Sequence, residues 1–252
     1  MSLAKRNGAR SARLRVEPRM SRIDTSTHLT VAEMPVPNFR GSPGTLDGLT
    51  RLGRVQLSRH FFMRDFLYSE IGAHHRLPNV PHDPNLAIRS GRLLAETLLE
   101  PLVETFGPIV VRSAYRSPEV NGFGAEHGLG CASNERNRAS HIWDLRDAAG
   151  RMGATVSVVI PWFARGYDAG RDWRDLAWWM HDHLPPHGCY FFPVRAAFNI
   201  GLRDRDQRNA IGSYIAPKGK LLVAGETPSE TRADRAARYI DFPPYRGIEY
   251  PI

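Results

Sequence analysis

Residues 110–121 read VVRSAYRSPEVN. Gly107-Pro108 breaks the chain before them, and Val110 and Val111 open as a short buried strand, a β-branched run after a breaker pair. Ser113, Arg116 and Ser117 crowd polar side chains into the turn that follows, and Pro118 fits the first turn of a helix. An arginine fixed at a strand end presents a planar fork of donors that clamps a carboxylate. The other reading is an arginine that ties its own loop together. These residues alone leave both open.

Upstream, Pro84 to Phe106 predicts the best helix of the chain, with Ile88, Leu93, Leu94, Leu98, Leu99, Leu102 and Phe106 on one face. An earlier helical signal starts near Ser58, a cap for Phe62, Phe66 and Leu67. His74, His75 and His82 surround a Pro-rich turn without a paired carboxylate and read as loop or surface residues. Downstream, residues 122–139 read as a loop rich in Gly, Asn and charge. VSVVIPWF, residues 156–163, reads as a buried central strand. Residues 172–184 read as a helix ended by Pro185-Pro186. Residues 189–192 and 196–202 read as a closing pair of strands, and Leu221–Val223 as one hairpin strand. The expected class is α+β, a small antiparallel sheet flanked by helices.

SAYRSPEVN (113–121) resembles the arginine segment of the zinc D-Ala-D-Ala carboxypeptidase and hedgehog-like peptidase superfamily, the peptidase M15-like proteins. LSRHFFMRDFLYSE (57–70) is similar to that family's opening segment, and LPNVP (77–81) to the link after it. LLAETLLEPLVETFGPIVV (93–111) is similar to the helix and strand that lead into the arginine turn. The resemblance spans about Leu57 to Asp204 and is weaker over its second half. It implies a hedgehog/DD-peptidase-like fold in which Arg116 and Ser113 bind substrate. It also implies zinc, held by a histidine, an aspartate a few residues later and a second histidine in the last strand, with a nearby glutamate or histidine as base. Such a site keeps one metal position open for water.

Residue by residue, His141 matches the first ligand. Where the aspartate belongs, just before the strand, stand Thr155, Val156 and Ser157, so Asp144 and Asp147 are the substitutes. AFNIGLR (197–203) resembles the last strand, with Asn199 at the position of the second histidine. A neutral amide is a poor zinc ligand. His181 and His183 are two apart on a helix and diverge, and His127 and His187 are lone loop histidines. No catalytic residue is assigned. The resemblance therefore implies a DD-peptidase-like protein with impaired catalysis. Such a pseudoenzyme serves binding or assembly, on the cell wall or in a phage-type particle, with a peptidoglycan peptide or an assembly protein as partner. The alternative is an active zinc hydrolase of peptidoglycan, a D,D-carboxypeptidase or endopeptidase with an atypical metal site.

The 252 residues carry 34 Lys and Arg against 26 Asp and Glu, a formal charge of +8 that favours acidic partners. Residues 1–56 read as a basic, extended or disordered arm: Lys5, Arg6, Arg10, Arg13, Arg15, Arg19 and Arg22 stand beside one acid, Glu17. Such an arm is a solvated tail or a binder of nucleic-acid phosphate. Residues 57–205 make the peptidase-like domain, and 206–252 a Pro-rich extension ending in an aromatic and proline tail. No apolar run approaches membrane-spanning length. The N-terminus has no apolar segment after its basic residues, which predicts cytoplasmic synthesis without a secretory signal. Cys131 and Cys189 are expected to be free thiols.

Overall fold

Asp83 starts the long helical run. Its carboxylate accepts from Leu86 N at 2.9 Å, and Pro84 sits in the first turn, where a missing N–H costs nothing. Helix α3 (Pro84–Leu94) passes through a π turn (Ala95–Leu99) into α4 (Glu100–Phe106). Pro101 explains the π turn. In an α-helix its ring would strike the carbonyl of residue 97, and here the wider turn lets Glu100 N donate to Ala95 O, five residues back. Gly107, at φ +80°, ends the run in the left-handed region that glycine tolerates.

The computed structural model describes residues 38–206 and 208–245, all within one unit, Pro35–Ile252. The basic residues 5–22 and the last residues of the proline tail lie outside the described residues. Beyond Gly107, β1 (Val110–Ser113), β2 (Gly153–Val159), β3 (Gly188–Phe191), β4 (Phe198–Arg203), β5 (Ala210–Ser213) and β6 (Gly219–Leu222) form one sheet. Its order is β1-β2-β4-β3-β5-β6, antiparallel throughout except for β3 beside β5. The architecture is thus mixed α and β around an open, mostly antiparallel six-stranded sheet.

Alternation gives the sheet two faces. Val156, Val158, Cys189, Phe191, Phe198 and Ile200 are buried in one cluster with Ile88, Leu94, Leu98 and Leu102 of the α3–α4 run. Leu176, Trp178, Trp179 and Met180 of α8 (Trp173–His183) join the same cluster. Each large side chain so buried contributes about 1.5–3 kcal/mol.

Several elements differ from the sequence expectation. The stretch 122–139 is not all loop: α5 (Pro118–Glu126) runs into it, and α6 (Asn134–Asn137) lies inside it. Ser117 caps α5, and Gly124 is needed there because a Cβ would stand 2.6 Å from Cys131 Sγ. The central strand begins three residues earlier than expected, at Gly153, and stops at Val159. Pro161 then opens α7 (Pro161–Asp168), since proline suits a first helical turn and cannot donate to a strand ladder. Residues 46–53, expected in the arm, form α1 (Leu46–Gly53), capped by Thr45. The boundary expected at 205/206 falls inside the sheet, because β5 pairs with β3 and β6 pairs with β5. Helix α9 (Arg232–Arg238) follows, capped by Thr231 and Asp234.

Candidate functional site

The second face of the sheet carries a polar row, flanked by a small apolar cluster of Val159, Ala164, Ala197 and Phe192. Ser113 pairs with Ser157, Ser157 with Asn199, Asn199 with Tyr190, and Tyr190 with Gly212. Partners in register share a face, so these residues form one row across five strands. The side chains of the row are half-buried, whereas Val156, Val158, Phe198 and Ile200 point the other way. At its far end Tyr190, Phe192 and Tyr214 cluster, with ring centroids 4.6–6.2 Å apart.

At the near end stands the arginine turn. Tyr115 N donates to Phe66 O at 3.1 Å, Arg116 N to His141 O at 2.8 Å, and Ser117 N to Asn79 Oδ1 at 2.7 Å. Asn79 Nδ2 in turn donates to Leu67 O and Tyr115 O, both at 2.9 Å. Segments 57–70, 77–81 and 113–121 therefore lock one another in place. The Arg116 guanidinium donates to Ser113 Oγ and to Cys131 Sγ, each at 3.1 Å. Among the described residues no carboxylate pairs with it, and guanidinium carries five N–H donors. Arg116 thus ties its loop and still keeps donors for an anion.

His141 lies beside this turn. Ser140 is bound twice to Thr155, through Thr155 N to Ser140 O at 2.9 Å and between the hydroxyls at 3.0 Å. That ties Ser140, next to His141, to β2 at Thr155, two positions before Ser157. His141 Nδ1 is 2.8 Å from Ala114 O, and a carbonyl only accepts, so Nδ1 carries the proton and Nε2 keeps its lone pair. The residue is 6% exposed. Burial, then the Arg116 charge, lowers its pKa from 6.5 to about 4, so it is neutral at pH 7.

Asp144 and Asp147 have other engagements. Asp144 is 2% exposed, and its Oδ2 accepts from His82 N at 2.7 Å. Burial raises its pKa against the pull of the backbone amides and the Tyr115 hydroxyl. Neither Asp144 Oδ1 nor the Tyr115 hydroxyl meets a partner in hydrogen-bond geometry, yet the two groups couple. Burial, and after it the Asp144 charge, pushes the Tyr115 hydroxyl pKa up. Asp147 closes a turn, accepting from Ala149 N, Arg151 N and Arg151 Nε at 2.9–3.0 Å. Burial opposes its ionisation, but the Arg151 bonds prevail and hold its pKa low.

Among the described residues, His141, Asp144 and Asp147 do not gather ligand atoms within 4.8 Å of one another; one group of three that does is His60, Glu100 and Glu104. Ser157 and Asn199, opposite each other in the row, are neutral. This set does not fit the zinc that the resemblance implies.

Several other described histidines pack against rings or pair with carboxylates. His127 stacks on Phe123 at 3.9 Å, His183 stacks on Trp179 at 5.0 Å, and His181 bonds Asp182 at 2.8 Å. His74 and His75 end α2 (Glu70–His75), and His82 meets Glu119 at 2.9 Å. Cys131 and Cys189 are free, the latter buried. Three features escaped the sequence reading: the aromatic trio, the thiol on Arg116, and the His60 group. Each joins residues from separate elements, so only the fold brings them together. No described helix is long and apolar enough to cross a membrane. Comparisons of the chain with protein-family models, with curated proteins and with solved structures find no match.

Proposed function

We propose that this chain is a DD-peptidase-like protein that binds rather than cleaves. Its polar sheet face holds the carboxylate end of a peptide, from peptidoglycan or from an assembly partner in a cell-wall or phage-type setting. The observation that carries the reading is Arg116, a guanidinium at the end of a polar row with no carboxylate partner among the described residues. An Arg–carboxylate pair is charge-assisted and bidentate, which fixes the end of an extended ligand. The row Ser113–Ser157–Asn199–Tyr190 offers neutral hydrogen-bonding groups along such a ligand.

The test is calorimetric titration with a short peptide ending in a D-Ala-D-Ala carboxylate, beside the same peptide as its C-terminal amide. The acid should bind, and the amide should bind at least about tenfold more weakly, since a charge-assisted bond is lost. Equal binding of the two, or none, would reject the reading.

The zinc peptidase reading keeps one supporting observation. His141 is buried and neutral, and its Nδ1–H donates to Ala114 O, a bond of the kind that orients a metal-ligating histidine. Zinc content of the purified protein beside His141→Ala, with a cleavage assay on the same peptide, decides between them. Zinc lost in the variant, together with cleavage, would put the peptidase first.

A further inference from the structure

The segment 56–62 folds back tightly. Gln56 and Phe62 form an isolated bridge, and Leu57 N and Ser58 N both donate to Phe61 O. This presents His60 to α4, where Glu100 and Glu104 stand one helical turn apart on a shared face. The π turn that Pro101 imposes sets where Glu100 points, and such turns recur at functional sites.

Glu100 is 1% exposed. Its Oε1 accepts from His60 N at 2.8 Å, and its Oε2 lies 2.6 Å from His60 Nδ1. Ser58 Oγ, in a residue 7% exposed, sits against this carboxylate and meets no partner in hydrogen-bond geometry. Glu104 stands at the rim, where Arg59 Nη1 donates to its Oε1 at 3.1 Å. One ligand atom from each of His60, Glu100 and Glu104 lies within 4.8 Å of the others. Arg59 is the one guanidinium bonded to the cluster and it meets Glu104 alone, while Glu100 meets the amide and imidazole of His60, so the two carboxylates present oxygens beside an imidazole, a donor set that a divalent cation would meet.

We infer that His60, Glu100 and Glu104 form a divalent-cation site of the zinc class, with Arg59 as an internal cation competing for Glu104. One imidazole nitrogen and two carboxylate oxygens suit zinc or its first-row neighbours, whereas calcium and magnesium favour all-oxygen shells. The site shares no residue with the polar row, so it stands or falls apart from the peptide-binding reading.

The experiment is calorimetric titration of the chelator-stripped full chain with zinc chloride. Variants are His60→Ala, Glu104→Gln, Arg59→Ala and His141→Ala; Glu100 is left alone because it anchors the loop. The wild type should take up a zinc ion whose affinity drops at least about tenfold in His60→Ala and Glu104→Gln. It should hold or tighten in Arg59→Ala and stay unchanged in His141→Ala. Zinc should also raise the melting temperature of the wild type and not of Glu104→Gln, a rim substitution that leaves the core intact. No zinc uptake, or uptake that His60→Ala and Glu104→Gln leave unchanged, would overturn the inference. So would loss of the ion in His141→Ala alone.

Discussion

Ser157 on β2 and Asn199 on β4 are direct register partners on the polar face of the sheet. Asn199 stands where the resemblance places a histidine, Ser157 is one of the three residues that stand in place of its aspartate, and Ser140, next to His141, is tied to β2 at Thr155, two positions before Ser157. Restoring the ligand types should therefore restore a metal site. The double variant Ser157→Asp, Asn199→His, made in a Glu104→Gln background to silence the other cluster, should bind zinc at least about tenfold tighter than that background. Adding His141→Ala should abolish the gain. A double variant with no gain in calorimetry would show that these side chains do not converge with His141.

Arg116 should matter for binding and little for stability. Its guanidinium bonds a hydroxyl and a thiol rather than a buried charge, so truncation leaves no orphaned ion behind. Arg116→Ala should shift unfolding free energy by less than about 1 kcal/mol while removing binding of the D-Ala-D-Ala acid. Arg116→Lys keeps the charge and loses the fork, so it should still weaken binding about tenfold. Wild-type affinity in the lysine variant would argue that a point charge suffices.

His187 gives the fold a pH dependence. It is buried, its Nδ1 donates to Pro185 O at 2.8 Å, and its Nε2 has no partner. Burial lowers its pKa from 6.5 to about 4. Below pH 6.5 the unfolded chain takes up this proton, and the folded chain refuses it until about pH 4. Stability therefore falls as the pH drops through that window, by up to roughly 3 kcal/mol from this residue. His187→Asn keeps a donor for Pro185 O and cannot charge. Its urea midpoint should fall less than that of the wild type between pH 7 and pH 4.5. Parallel slopes would place the proton uptake elsewhere.

Much of the first half was legible, although the helix expected from Ser58 is replaced by a single turn at Met63–Phe66 before α2, and the strand expected to be buried at Val110 lies on the sheet edge with Val110 51% exposed. Asp83-Pro84, Ser117-Pro118 and Gly107-Pro108 are local signals, and the structure starts or stops elements at each of them. The second half hid its order for physical reasons. Strand β5 is four residues long, contains glycine and has little alternation, so its burial comes from pairing rather than from pattern, whereas β6 overlaps the hairpin strand expected at Leu221–Val223. The π turn had one cue, Pro101 inside an apolar helical run. The polar row was invisible because it needs the register of separate strands, and no spacing along the chain encodes that Ser157 faces Asn199. His60 and Glu100, 40 residues apart, meet only through the fold.

Helix α9 reads RADRAAR and has no apolar stripe, so its attachment must be electrostatic. Arg235 reaches Asp182 on α8 with Nε at 3.0 Å and Nη2 at 2.7 Å, and the Tyr239 hydroxyl donates to the same carboxylate at 2.9 Å. The Arg235 and Asp182 side chains are only 9% and 4% exposed. Burial opposes ionisation of Asp182, but the bonds from His181, Arg235 and Tyr239 prevail and hold its pKa far below 3.8. A lowered carboxylate pKa supplies stability that is complete above the unfolded value and lost as the pH falls through the folded one, so this contribution fades only below pH 3.8. Asp182→Ala leaves a buried guanidinium unpaired and should cost about 3–5 kcal/mol at neutral pH. Replacing both partners, as Asp182→Leu with Arg235→Met, should cost clearly less than the sum of the single changes. Hydrogen exchange should show the α9 amides opening first in Asp182→Ala. A single variant within about 1 kcal/mol of the wild type would mean that packing of Tyr239 and Phe242 holds the C-terminal segment instead.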